Sequence, residues 1–171
     1  LPSESRLARE IKQSKPFTSK ATEAAVALMR TADVVRRSVS GIVGRHDLTP
    51  QQYNVLRILR GAGEKGLPTL EIADRMIEET PGITRLIDRL ESKQLVSRER
   101  CLTDRRQVWC RITKSGLGLV AALDEPVRGA EEAALRGFTK KELVLLVELL
   151  DQVREGFALS SLNAEKTKEA S

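Results

Sequence analysis

Ring side chains are nearly absent from this chain, with one tryptophan, one tyrosine, three phenylalanines and one histidine among 171 residues. So few aromatic faces exclude carbohydrate stacking or a base-stacking platform as the main task. The lone histidine, His46, leaves no cluster of ligands for a metal site. A Ser-His-Asp or Cys-His mechanism would have to use this residue, and nothing near it resembles a nucleophile elbow. No glycine-rich phosphate loop is present. Two cysteines, Cys101 and Cys110, are too few for a disulfide framework and point to a reducing cytoplasm. They share one predicted hairpin, so a bridge between them stays open, although an inert role is the simpler expectation. Apolar runs fall short of the length that spans a bilayer. No leader pattern is visible, and Leu1 in place of Met suggests a trimmed start. These absences argue against an enzyme, a metal site, a cofactor and a membrane role.

The chain does carry positive charge, and that charge is concentrated. The net charge is +5 and the isoelectric point about 9.5, which suits a polyanionic partner. Between residues 80 and 113 stand eight cations (Arg85, Arg89, Lys93, Arg98, Arg100, Arg105, Arg106 and Arg111) against four anions. Most of the excess therefore sits in one short segment.

Periodicity reads mainly as helix. Leu7 and Ile11 give residues 1–14 a minimal apolar stripe, enough for a short helix or a disordered arm. A long helix is predicted over 18–45, with apolar positions from Ala21 to Val43 at helical spacing. Thr49-Pro50-Gln51-Gln52 predicts the next start: a capping threonine, a proline at the first helical position and a glutamine closing a capping box. Leu48 and Tyr53 are spaced as a hydrophobic staple. A short helix opens at Thr69 and a second spans 80–93, introduced by Thr80-Pro81. Strands are predicted over 95–100 and 107–112, where apolar and polar residues alternate. Another helix follows Thr113, and Pro126 should kink or break it. Phe138 to Leu143 again spell a staple and a capping box. The apolar run from Leu143 to Phe157 is too greasy for a lone surface helix. The polar segment 163–171 reads as a disordered tail.

The helix over 80–93 carries the strongest functional signal. Ile83, Leu86, Ile87 and Leu90 form its apolar stripe, while Gly82, Thr84, Arg85, Asp88 and Arg89 share the other side. A helix so divided has the chemistry needed to lie in a DNA major groove. Arg85 and Arg89, four apart, can each meet a phosphate or a guanine edge; alternatively they pair with Asp88 on a solvated face. Thr69, Thr80, Gly82 and Thr84 lie at helix starts, where small side chains and free N–H groups suit phosphate, or simply cap. Arg98 on the following strand can reach the backbone. At the hairpin tip, one of Arg105 and Arg106 can pair with Asp104 while the other reaches a minor groove. Cys101 lies beside Arg100, a neighbour that lowers a thiol pKa and favours oxidation. The expected fold is mainly α with a small β-hairpin: a winged helix-turn-helix flanked by N- and C-terminal dimerisation helices.

These residues resemble the MarR family of bacterial transcriptional regulators. The likeness runs through Thr84-Arg85-Leu86-Ile87-Asp88-Arg89-Leu90-Glu91, Leu95-Val96-Ser97-Arg98, Asp104-Arg105-Arg106 and Ile112-Thr113-Lys114-Ser115-Gly116 without a gap. The resemblance implies a cytoplasmic homodimer with a triangular outline that binds a near-palindromic site in double-stranded DNA. It implies dimerisation helices in 1–47 and 114–162 around a DNA-binding module in 48–113, the wing entering the minor groove. It further implies repression relieved by a small aromatic effector bound between the two regions, near His46 and Tyr53; some members respond to thiol oxidation instead. One position departs from the family: Gln94 stands where a glycine usually forms a left-handed helix cap. The rival reading is a dimeric helical interaction protein whose winged helix contacts protein, with Arg85, Arg89 and the basic tip serving only solubility.

Overall fold

The computed structural model describes residues 5–100 and 108–169. The chain divides into two units, Leu1–Ala130 and Glu131–Ser171.

The first unit opens with α1 (Arg6–Glu10), capped by Ser5, whose Oγ accepts from the Ala8 N–H at 3.2 Å. Helix α2 (Lys20–Val43) starts from a Ser19 cap and passes into a 3-10 turn at Gly44–His46. Asp47 then turns the chain with a left-handed φ of 55°. Helix α3 (Pro50–Ala62) begins with the full capping box: Gln52 N–H donates to Thr49 Oγ1 at 3.2 Å, and Thr49 N–H to Gln52 Oε1 at 3.0 Å. Leu48 and Tyr53 are both buried, as a staple requires.

After α3 the chain forms a two-residue strand, β1 (Leu67–Pro68), and a short helix, α4 (Thr69–Asp74). Helix α5 (Ile83–Ser92), strand β2 (Val96–Arg100) and strand β3 (Val108–Ile112) follow. The hairpin expected from the sequence is part of a three-stranded antiparallel sheet in the order β1-β3-β2. β1 carries no alternation to reveal it; Pro68, which lacks a ladder donor, is tolerated because β1 lies at the sheet edge. The core is continuous, drawing Leu56 and Leu59 from α3, Ile72 from α4, Ile87 and Leu90 from α5 and Cys110 from β3. Helix α6 (Lys114–Leu135) adds Val120, Leu123 and Val127 to it.

Three elements differ from expectation. Helix α5 begins at Ile83 rather than Thr80, because Gly82 takes a φ of 93° and breaks the helical path. Pro126 does not end α6, which runs on to Leu135; the proline forgoes one helical donor while Leu123 and Val127 hold the flanking turns in the core. In the second unit, α7 (Lys140–Glu169) continues through residues 163–169, which had read as a disordered tail. Ala164, Glu165, Lys166 and Lys168 are strong helix formers and propagate the helix beyond its apolar part.

The turn from α5 into β2 is a complete Schellman motif. Leu95 N–H donates to Leu90 O at 3.0 Å and Gln94 N–H to Glu91 O at 2.8 Å. Gln94 adopts the left-handed conformation that glycine usually supplies, with φ 58°. The start of α6 packs against this turn: Thr113 Oγ1 donates to Gln94 O at 2.7 Å and accepts from Gly116 N–H at 3.1 Å. A Cβ on Gly116 would meet the Leu95 carbonyl oxygen at 2.4 Å, so only glycine fits there.

Candidate nucleic-acid interface

Helix α5 is sharply two-sided. Ile87 and Leu90 are buried, Ile83 and Leu86 pack partly against the core, and Thr84, Arg85, Asp88 and Arg89 are exposed. Neither Arg85 nor Arg89 has a side-chain hydrogen bond or ion pair among the described residues, so intrahelical pairing with Asp88, the alternative reading, does not form. Two guanidinium groups one turn apart thus stand unneutralised on one face. Arg89 also borders a cleft of about 400 Å³ shared with Gly44, Leu48, Thr49 and Lys93.

The start of this helix is open. Its N-cap is Gly82, and no side chain bonds back to the first turn. Thr80, expected as the cap, instead donates its hydroxyl to Glu78 O at 2.9 Å. The leading N–H groups of α5 therefore point out of the helix with the positive end of its dipole behind them, which favours an anion. Thr84 is exposed beside them. Thr69 is turned differently: its hydroxyl lies 3.4 Å from Val108 O and 3.7 Å from Cys110 Sγ, so it faces the sheet.

Arg98 is engaged from within the protein. Its Nε donates to Glu91 Oε2 at 2.8 Å, its Nη2 to the same oxygen, and its Nη1 to Asp88 Oδ1 at 2.5 Å. The hydrogen bond from Arg98 holds the Glu91 carboxyl below its ordinary pKa, and the same bond raises that of Arg98. Asp88 thus orients an arginine ten residues away. On the other face of the sheet Arg111 Nη1 donates to Glu99 Oε2 at 2.5 Å. Arg100 has no partner among the described residues and joins the candidate cations.

A second tie holds the same C-terminal end of α5, two residues beyond Glu91. Lys93 Nζ donates to the Asp47 carbonyl and to its Oδ2, the latter at 2.5 Å. That bond holds the Asp47 carboxyl below its usual range. Sequence reasoning missed this link, since the two residues stand 46 apart.

Arg105, Arg106, Asp104 and Cys101 lie outside the described residues. Cys110 is free and buried, and its burial raises the thiol pKa against the opposing effect of Thr69; a buried thiol of that kind is unreactive. His46 is exposed, whereas Tyr53 is a core residue with the Arg57 guanidinium 5.8 Å from its ring centroid. No group of residues suited to a metal occurs among those described, and no described helix is long and apolar enough to cross a membrane.

Residues 48–108, from just before α3 to the first residue of β3, match the pattern of the MarR family. A MarR transcription factor from Planctomyces limnophilus is 41% identical, with a TM-score of 0.62 over 80% of this chain and 99% of that one. The homoprotocatechuate degradative operon repressor of Escherichia coli is 28% identical over 127 residues, 74% of this chain and 84% of its own. The S. aureus MepR–DNA complex shares the fold, with a TM-score of 0.72 at 21% identity over 82% of this chain and 99% of that one.

Proposed function

Given that this chain belongs to the MarR family of transcription regulators, we propose that it acts as a cytoplasmic repressor, binding a near-palindromic operator as a homodimer. Each α5 would enter a major groove. Arg85 and Arg89 would read base edges or phosphates, while Thr84 and the open helix start beside Gly82 would seat a phosphate. Arg105 and Arg106 would act in the minor groove. Thr69 and Thr80, whose hydroxyls bond Val108 O and Glu78 O, would contribute by holding the helix-turn-helix in place rather than by touching DNA. The dimer contacts would come from 1–47 and 114–162, leaving 48–113 to the DNA.

One observation carries this reading: a helix buried on one side that keeps on the other an uncapped N-terminus and two arginines without a partner among the described residues. A protein-binding winged helix would need none of the three. Repression and release by a small aromatic effector rest on the E. coli relative, a repressor named for the degradation of an aromatic compound.

Selection of bound duplexes from a random pool tests the proposal. The expected result is an inverted repeat with half-sites about 10 bp apart, because two-fold related helices must meet one side of the duplex. Aromatic carboxylates, added as a panel, should release that duplex. Recovery of no common sequence would favour the protein-interaction reading.

A further inference from the structure

We infer that Arg98 is a positioning residue, a clamp that sets the angle between the wing and helix α5, and that it makes no contact with DNA itself. The inference rests on the DNA-binding reading for its consequences, but the clamp can be tested without DNA.

Strand alternation puts Arg98 on the same side of β2 as the buried Val96, toward α5. Asp88 and Glu91 are three apart on α5, one above the other on a helix face. The guanidinium fork spans both, donating through Nε, Nη1 and Nη2. An ammonium group could not do this, since it is a point charge without the planar fork. The cluster holds one cation and two carboxylates, a surplus of one negative charge. A phosphate brought to Arg98 would meet that surplus, unlike one brought to Arg85 or Arg89. The joint ties β2, and β3 paired to it, to α5. Lys93, two residues beyond Glu91, ties the same C-terminal end of α5 to Asp47, so ion pairs anchor that end while the exposed face carrying Arg85 and Arg89 lies apart from them.

The test uses the full chain and three variants, Arg98→Gln, Arg98→Lys and Glu91→Gln. Hydrogen exchange in the free protein reads the clamp directly. Each variant should speed exchange of the β2 and β3 amides, with little change in α3. Unchanged exchange overturns the clamp whether or not the protein binds DNA.

Binding to a duplex recovered by the wild-type chain reads the consequence. Arg98→Gln should weaken binding roughly three- to tenfold while leaving the salt dependence unchanged. Glu91→Gln should also weaken it, although it removes a negative charge, and Arg98→Lys should not restore it. A direct phosphate contact predicts the opposite: a salt slope lower by about 0.9, tighter binding by Glu91→Gln and rescue by lysine. Any of these three results overturns the assignment. If the wild-type chain recovers no duplex while the exchange results hold, the DNA reading fails and the clamp stands.

Discussion

Arg85 and Arg89 have the same charge as Arg98 and lie on or beside the same helix, yet their surroundings assign them different work. Exposed, and without an ionic partner among the described residues, they forfeit none of the bonds described when they engage a nucleic acid. Replacing either by alanine should weaken operator binding by about 1–3 kcal/mol where the arginine reads a base bidentately. Where it meets only a phosphate, the slope of log K against log salt should fall by about 0.9. Titrations across a salt series separate the two roles. Gln94 offers a different test. A side chain at φ 58° carries steric strain that glycine avoids. Gln94→Gly should therefore stabilise the protein by about 0.5–1 kcal/mol after the added freedom of the unfolded chain is subtracted. Chemical denaturation measures it, and a loss of stability would mean that the glutamine side chain contributes something beyond the cap. The turn at Gln94 was legible only through the family resemblance, which left open whether the cap differs or strain is accepted. The partner of Asp88 was not legible. Spacing offered Arg85 and Arg89, and only the packing of β2 on α5 brought Arg98 within reach.

Two helices in this chain are introduced by the same dipeptide, Thr-Pro, and only one uses it as a cap. Thr49-Pro50 is followed by Gln51-Gln52, and Gln52 closes the box. Thr80-Pro81 is followed by Gly82-Ile83, which can neither close a box nor resist a positive φ, so the helix starts later and stays open. Periodicity found α2, α3, α6 and α7 because each presents several turns of apolar spacing, and it placed both strands of the hairpin. It could not show β1, whose two residues pair with Cys110 and Trp109 far along the chain. Nor could it show how elements are joined. Arg60 on α3 donates from Nη1 to Asp124 Oδ2 on α6 at 2.6 Å. That hydrogen bond holds the Asp124 carboxyl below its ordinary range. A depressed carboxylate contributes stability that is present above its unfolded pKa of about 3.9 and is lost as pH falls through the lower folded value. Asp124→Asn should remove this acid-sensitive part. Denaturation at a series of pH values should show a shallower loss for the variant below pH 4 than for wild type. Parallel curves would mean that the pair links α3 to α6 without stabilising them.

At the scale of the molecule, the apolar surface is larger than one chain needs. In the first unit Met29, Val34 and Val35 of α2 are half or more exposed, and in the second Val144, Leu145 and Val147 of α7 are half or more exposed. Helices with such faces bury them against something, and a two-fold dimer presents each face to a second copy of itself. Dimerisation also supplies the second α5 that an inverted repeat requires. The melting temperature should then rise with protein concentration, as mass action demands of a dimer. Val147→Glu, 57% exposed in the single chain, should cost nothing within the chain but place two charges in the interface. Sedimentation should show the variant as a monomer whose melting temperature no longer depends on concentration. Its affinity for a full inverted repeat should drop by about 10²–10⁴-fold, because the second half-site is no longer bound intramolecularly, while binding to an isolated half-site stays the same. A variant that remains dimeric would exclude this face of α7 from the interface; a monomer that kept full affinity would show that the two reading helices do not act together.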